Sequence, residues 1–378
     1  MNPRVEVNGW TFWPGRDDEQ GLEFARLLAS AQDGGAMIAE CFQAAGRIIE
    51  GDEDSWHREW KRLAEAAMQR GEEALAAGNG VTAAANCLRA INYYLASIRL
   101  LDASDRRWPI AIEAMRKCAE AYLQHAPVHA EIVSIPWLKS RPLQAYLLRP
   151  PRQRGRSPVV VCMGEPGHHK EEHLFKLAHH ARERGLTLLA VDLWGEGNDD
   201  HLSELIGSPE IETALSHVLD CLSKRRDVDL SRIAVLADGW ASSFVARSVA
   251  ADPRVSAAVC DGGLWDSHER WFLASRAGKD GMDAAPNPFA SRVARSMDCP
   301  LLITLGERGW LKAEHARDFV DRLRGVGRDV TLKAFTPAET AAGQGHTDNP
   351  TLANEFIFDW LSSRLGPMPE ARRTPIRS

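Results

Sequence analysis

Residues 231–259 read SRIAVLADGWASSFVARSVAADPRVSAAV, and their reading decides the fold. RIAVLAD (232–238) is a continuous apolar run of strand length. ASSFVARSVAADP (241–253) switches to helical spacing, and VSAAVCDG (255–262) returns to an apolar run. Strands that are apolar on both faces, joined by an amphipathic helix, predict parallel neighbours in a sheet covered on both sides. The junction LADGWASS (236–243) is short, and Asp238–Gly239 within it is a tight-turn pair. In such sheets the functional groups gather at the carboxyl ends of the strands, so this junction is where chemistry is expected.

The same alternation extends through the C-terminal half. Further strands are expected at VVVCMG (159–164), LTLLAVDLW (186–194), PLLITLG (300–306) and VTLKAF (330–335). EIVSIPW (131–137) and LQAYLLRP (143–150) precede them, both just after a period change near Val128. The intervening helices are EEHLFKLAHHARERG (171–185), EIETALSHVLDCLSKR (210–225), EHARDFVDRLRGVG (314–327) and NPTLANEFIFDWLSSRL (349–365). Upstream, from Gly21 to about His125, the apolar spacing is helical throughout. One of these helices opens on a cap at Asp54 or Ser55 and stops at Gly78. The expected organisation is an N-terminal helical domain (1–127), an α/β domain (128–365) with a cap segment at about 268–297, and a disordered tail (366–378).

A net charge of −6 excludes the broad basic face of a general nucleic-acid binder. No apolar run approaches the length of a membrane span, and the N-terminus lacks the layout of a signal peptide. Seven scattered cysteines with no C-x-x-C pair read as reduced thiols of a cytoplasmic protein. No nucleotide, cofactor or metal motif is present. The G-E-G of residues 195–197 is too short for a phosphate loop, and His169 and His173, four apart on an expected helix, read as part of a solvated helix start. Twelve tryptophans against four tyrosines is an unusual balance. Core packing accounts for most, but Trp194, Trp240, Trp265 and Trp310 each fall at or just past a strand end and together suit an aromatic wall around an apolar ligand.

Several stretches carry a resemblance. VDLWGEGND (191–199) resembles the D-x-P-G-x-G turn of α/β-hydrolases, residues 231–259 their nucleophile strand, elbow and helix, and PLLITLGERGWLKAEHARDFVDRL their acid-bearing strand. GHTDNPTLANEFIFDWL resembles their histidine loop and last helix. With GDEDSWHREW and GEPGHHKEE, the chain over roughly 20–365 resembles the fermentation–respiration switch protein and dihydroxy-pseudo-oxynicotine hydrolase-like family. The resemblance implies an α/β-hydrolase fold, a mostly parallel doubly wound sheet, with a helical N-terminal domain that often contributes to a homodimer. It also implies a small-molecule substrate, aromatic or polyketide-like.

Position by position the resemblance breaks at the triad. The elbow serine position holds Gly239, and the flanking glycines of G-x-S-x-G are Ala237 and Ala241. The acid of G-E-x-D is Gly309, and the histidine remains as His346. Ser242 and Ser243 lie inside the next helix, where their hydroxyls turn to the preceding turn. The candidate catalytic residues are therefore His346, Glu165 and Asp238. The family places a functional acid at the position of Glu165, in the loop that follows a strand end. Asp238 sits one residue early for an elbow nucleophile. Candidate substrate-binding residues are Gly239, Trp240, His168, Trp194, Asp261, Trp265 and Trp310. Asp261 or Asp266, or else Asp348 or Glu339, would pair with His346. Three readings follow: a histidine-centred acid–base enzyme of C–C or C–O cleavage, lyase, isomerase or cyclase type; a catalytically silent binder of a metabolite or partner; and an ester hydrolase with a displaced serine.

Overall fold

The computed structural model describes residues 6–7, 10–11, 19–49, 51–102, 104–126, 128–138, 141–151, 155–164, 167–193, 212–239, 241–263, 296–309 and 311–366. The expected cap segment (about 268–297) falls almost wholly outside these, as does nearly all of the tail from 366. A two-stranded ladder, β1 (Glu6–Val7) with β2 (Trp10–Thr11), precedes five helices: α1 (Glu19–Ala29), α2 (Ile38–Ala45), α3 (Glu53–Ala76), α4 (Gly80–Ile98) and α5 (Arg107–His125). The helical stretch read as continuous from Gly21 breaks between α1 and α2, where Gly34 takes a positive φ of 81°. Helix α3 starts two residues earlier than expected. Asp52 is its cap, and its carboxylate accepts a hydrogen bond from the Ser55 N–H at 3.0 Å.

An eight-stranded sheet follows, and every strand expected from the sequence is in it: β3 (His129–Leu138), β4 (Arg141–Arg149), β5 (Ser157–Met163), β6 (Thr187–Asp192), β7 (Val228–Asp238), β8 (Ala257–Asp261), β9 (Leu301–Gly306) and β10 (Val330–Phe335). Across the sheet the order is β10-β9-β8-β7-β5-β6-β4-β3. Strands β5 to β10 run parallel, while β4 is antiparallel to both β3 and β6. Strands β5, β6 and β9 are buried along their whole length, which is why they read as unbroken apolar runs and not as alternation.

Helices cover both faces. Val159, Val161 and Met163 of β5 pack with α8 (Ala214–Ser223), α9 (Ala241–Ala251) and α10 (Ala313–Gly325) through Val218, Phe244 and Phe319. Val160 and Cys162, pointing the other way, join a core that runs through α6 (Glu172–Lys176), α7 (Ala178–Glu183) and α11 (Pro350–Leu365) into the N-terminal helices. The segment expected as one helix over 171–185 is two, broken at Leu177. Trp56 and Trp60 are fully buried in the helical layer, 5.5 Å apart by ring centroid, so these two indoles are core.

The N-terminal helices are also tied to the sheet side by charge. Arg99, just past α4, reaches both carboxylate oxygens of Glu172 at 3.2 Å, and Lys176 adds a third bond at 2.8 Å. Glu172 is fully buried. Burial alone would raise its pKa, but these cations hold it well below the usual carboxylate range. The expected solvated helix start is thus corrected: His169, Lys170, Glu171, Glu172 and His173 are all buried, and His169 lies before α6, not on it.

Candidate active site

Register brings three strand ends into a row. Asp238 of β7 is the neighbour of Asp261 on β8, and Asp261 is the neighbour of Thr304 on β9. Neighbouring parallel strands stand about 4.8 Å apart, so the two carboxylates rise side by side at the carboxyl edge. Between them the chain turns at Gly239, whose φ is +47°. Its N–H donates to the Asp261 carbonyl at 2.7 Å, which pins the turn to the next strand. A strand-to-helix turn in the left-handed region is the geometry of an elbow, here carried by a residue with no side chain.

Ser242, the first hydroxyl past the turn, is fully buried and donates to the carbonyls of Ala237 (3.2 Å) and Asp261 (3.3 Å). At Gly309 an added Cβ would lie 2.7 Å from Gln344 Oε1 and 3.0 Å from the Gly306 carbonyl oxygen, so a side chain here would require Gln344 of the histidine loop to move aside.

That loop delivers His346 from a short 3-10 turn, Gln344–His346. Its Nε2 meets Asp261 Oδ1 at 2.8 Å and its Nδ1 meets the Ala341 carbonyl at 2.7 Å. Of the four carboxylates open to it from sequence, the structure selects Asp261. Asp348 instead accepts from the backbone N–H groups of Ala342 and Gly343, and Glu339 pairs with Lys333; Asp266 lies outside the described residues. Both groups facing the ring are acceptors, an arrangement that only a doubly protonated imidazolium satisfies in full. Burial opposes that charge. Asp261 and the two hydrogen bonds outweigh it and raise the pKa above the usual histidine value. The Asp261 side chain is 16% exposed and that of His346 is 3%, so the carboxylate is the forward member of the pair. Thr304 Oγ1 also donates to Asp261 Oδ1, at 2.6 Å.

A second pair stands on the other side of the turn. His168 Nδ1 contacts Asp238 Oδ2 at 3.0 Å, with side chains 21% and 26% exposed. Burial pushes the Asp238 carboxyl up, but the charge and hydrogen bond of His168 pull it down to about 2, and the same pairing raises His168. His173 is close by. A Cβ on Gly164, at the end of β5, would lie 3.0 Å from His168 Cβ, 3.6 Å from His173 Nε2 and 3.7 Å from Asp238 Oδ1. Burial lowers the His173 pKa to about 4, leaving it neutral beside the charged pair.

Glu165, Trp194, Trp240, Trp265 and Trp310 lie outside the described residues. The sequence reading missed Lys170, Glu171 and Asp192. Lys170 Nζ lies 2.9 Å from Glu171 and 3.3 Å from Asp192, and Tyr146 donates its hydroxyl proton to Glu171 at 2.8 Å. No periodic signal marks such residues, because their partners sit on separate strands. Among the described residues, two groups have metal-ligand composition: His169, Glu171 and Asp192, where the Lys170 ammonium already supplies the cation, and Asp33, His179 and His180.

No model of a known protein family matches the chain. A hydrolyase of Penicillium oxalicum is 33% identical over 253 residues, covering 63% of this chain and 59% of its own length. The 20-hydroxy-prefusarin hydrolase of Gibberella moniliformis is 33% identical over 256 residues, covering 64% and 60%. This chain therefore spans about three fifths of the curated relatives it matches. Among solved structures, the 2,6-dihydroxy-pseudo-oxynicotine hydrolase superposes with a TM-score of 0.71 at 19% identity, over 91% of this chain and 96% of its own. The chain has the α/β-hydrolase fold and is similar in sequence to curated hydrolases. Its eight-stranded mixed sheet with flanking helices fits that fold, and the relatives are named hydrolases. No helix of the described residues is long and apolar enough to cross a membrane.

Restoring the elbow hydroxyl tests how far this member departs from the serine pattern. Gly239→Ser is expected to show no burst of product from aryl esters, because neither nitrogen of His346 faces the turn unengaged. The left-handed φ adds a cost of roughly 1–2 kcal/mol, read as a lower Tm. A burst in rapid-mixing kinetics would mean that His346 exchanges Asp261 for the new serine.

Proposed function

We propose that this chain is an α/β-hydrolase-fold enzyme that works by acid–base chemistry, without a covalent serine step, on a small aromatic or polyketide-like carbonyl compound. The observation that carries the reading is the two histidine–carboxylate pairs, His168–Asp238 and His346–Asp261, on adjoining strand ends either side of a glycine elbow. His168, beside the slightly more exposed Asp238, is the acid. As an imidazolium held by Asp238 it can donate a hydrogen bond or a proton to a substrate carbonyl oxygen, stabilising the charge that builds there when a neighbouring bond breaks. Asp261, steadied by His346 and Thr304, is the forward carboxylate on the opposite side. Glu165, from the loop after β5, is proposed as the second proton-transfer group, and the indoles of Trp194, Trp240, Trp265 and Trp310 as the walls.

An acid on one side and carboxylates on the other suit enolisation followed by elimination, retro-aldol-type cleavage or ring closure. The names of the relatives, a hydrolyase and a prefusarin hydrolase, support this class of substrate. A homodimer remains part of the proposal on the family resemblance alone, and a cytoplasmic location on the scattered, unpaired cysteines. The reading of a silent binder is favoured by one observation, the engagement of both His346 nitrogens.

The test of the missing serine step is a fluorophosphonate probe, applied to purified full-length chain. No labelling is expected. Stoichiometric labelling mapped to any serine of the chain would overturn the mechanism in favour of a displaced nucleophile.

A further inference from the structure

Remote from the strand-end site, three residues converge from separate parts of the fold. Asp33 lies in the turn between α1 and α2, and His179 and His180 are consecutive on α7. His179 Nε2 is 3.3 Å from Asp33 Oδ1, and His180 Nε2 is 3.8 Å from the same oxygen. The two imidazoles overlap, with centroids 3.9 Å apart, and Phe358 of α11 stacks on His180. Thr351 Oγ1 donates to both Asp33 oxygens at 3.2 and 3.1 Å, holding the carboxylate in place.

An ion pair between Asp33 and His179 accounts for part of this arrangement but not for His180. That residue is 3% exposed, and its Nε2 has no hydrogen-bond partner although it points at the Asp33 carboxylate. An unsatisfied buried nitrogen costs free energy unless something binds it. Two nitrogens and one carboxylate oxygen with spacings of 3.3 and 3.8 Å are set as ligands around one small cation. Bonds of about 2.0–2.1 Å in a tetrahedron place ligand atoms about 3.3 Å apart.

We propose that Asp33, His179 and His180 bind a zinc-class divalent ion that clasps the N-terminal helices to the sheet domain. Thr351 orients the carboxylate as an outer partner. His179, whose side chain is 27% exposed, marks the side from which the ion enters and where a solvent ligand completes the tetrahedron. The residue types favour zinc or cobalt over calcium or magnesium, which take oxygen ligands.

The experiment is titration of chelator-treated full-length chain with Co²⁺, then Zn²⁺. One equivalent of Co²⁺ is expected to give the intense visible bands of a four-coordinate site, with Zn²⁺ displacing it and raising the Tm. Asp33→Asn, nearly isosteric, and His179→Gln, on the open side, are each expected to weaken binding by more than about 100-fold, and Thr351→Val by about tenfold. Circular dichroism checks that each variant is folded. Absence of saturable binding to folded wild type would overturn the proposal. So would binding that persists unchanged in both ligand variants, which would put the ion elsewhere, for instance at His169, Glu171 and Asp192.

Discussion

His346→Ala is expected to cost roughly 3 kcal/mol of stability, because it leaves Asp261 as a carboxylate without its cation. The figure sits at the low end for a broken buried pair, since Asp261 keeps some contact with water. Thermal unfolding should show a Tm lower by roughly 4 °C. The pH dependence has a definite sign. The folded pKa of His346 is raised above its unfolded value, so its contribution is fully present below about pH 6.5 and is lost as pH rises through the raised pKa. The gap between wild type and His346→Ala should therefore narrow in alkaline buffer. A loss under about 1 kcal/mol would mean that the pair is no more than a solvated surface contact, and a gap that widens with pH would mean that burial, not Asp261, controls the His346 charge.

The second large effect falls on turnover. Asp238→Asn removes the anion that keeps His168 charged, so the His168 pKa should fall and the acid be lost near neutrality. Against a ketone substrate, kcat/KM is expected to drop by about 10²–10⁴-fold at neutral pH, the usual worth of a general acid. Part of the activity should return at lower pH, as the unassisted imidazole protonates. His168→Gln should lose as much at every pH, because no imidazole remains to be recharged. Equal losses in both variants with no recovery in acid would place Asp238 in a role of its own.

Much of the fold was legible because burial writes itself into the chain. Each central strand is covered on both faces, and each therefore appears as an apolar run between helices of 3.6-residue period. The breaks were less legible: nothing in the spacing around Leu177 announces the division of α6 from α7. Site geometry was legible where a single turn dictates it. Gly239 was identified from its place between a strand and a helix, and its left-handed φ follows from that place. The partner of His346 was narrowed to four carboxylates, Asp261 among them, but not singled out, since Asp261 is 85 residues away and is selected by the β8–β9 register. The run His169–His173 defeated the reading outright. Five polar residues in succession look solvated, and only the arrival of Arg99, Tyr146 and Asp192 from distant segments makes their burial affordable.

The central claim is a carbonyl acid–base site built on His168 and Asp238 in a fold usually run by serine. Its most direct test is steady-state turnover of a panel of aryl esters beside β-diketones and polyphenolic ketones, with wild type and His168→Gln measured side by side. Consumption of one or more ketones by the wild type, lost by about 10²-fold or more in His168→Gln, is the predicted result. Ester turnover that survives His168→Gln, with no ketone consumed by either protein, would contradict it.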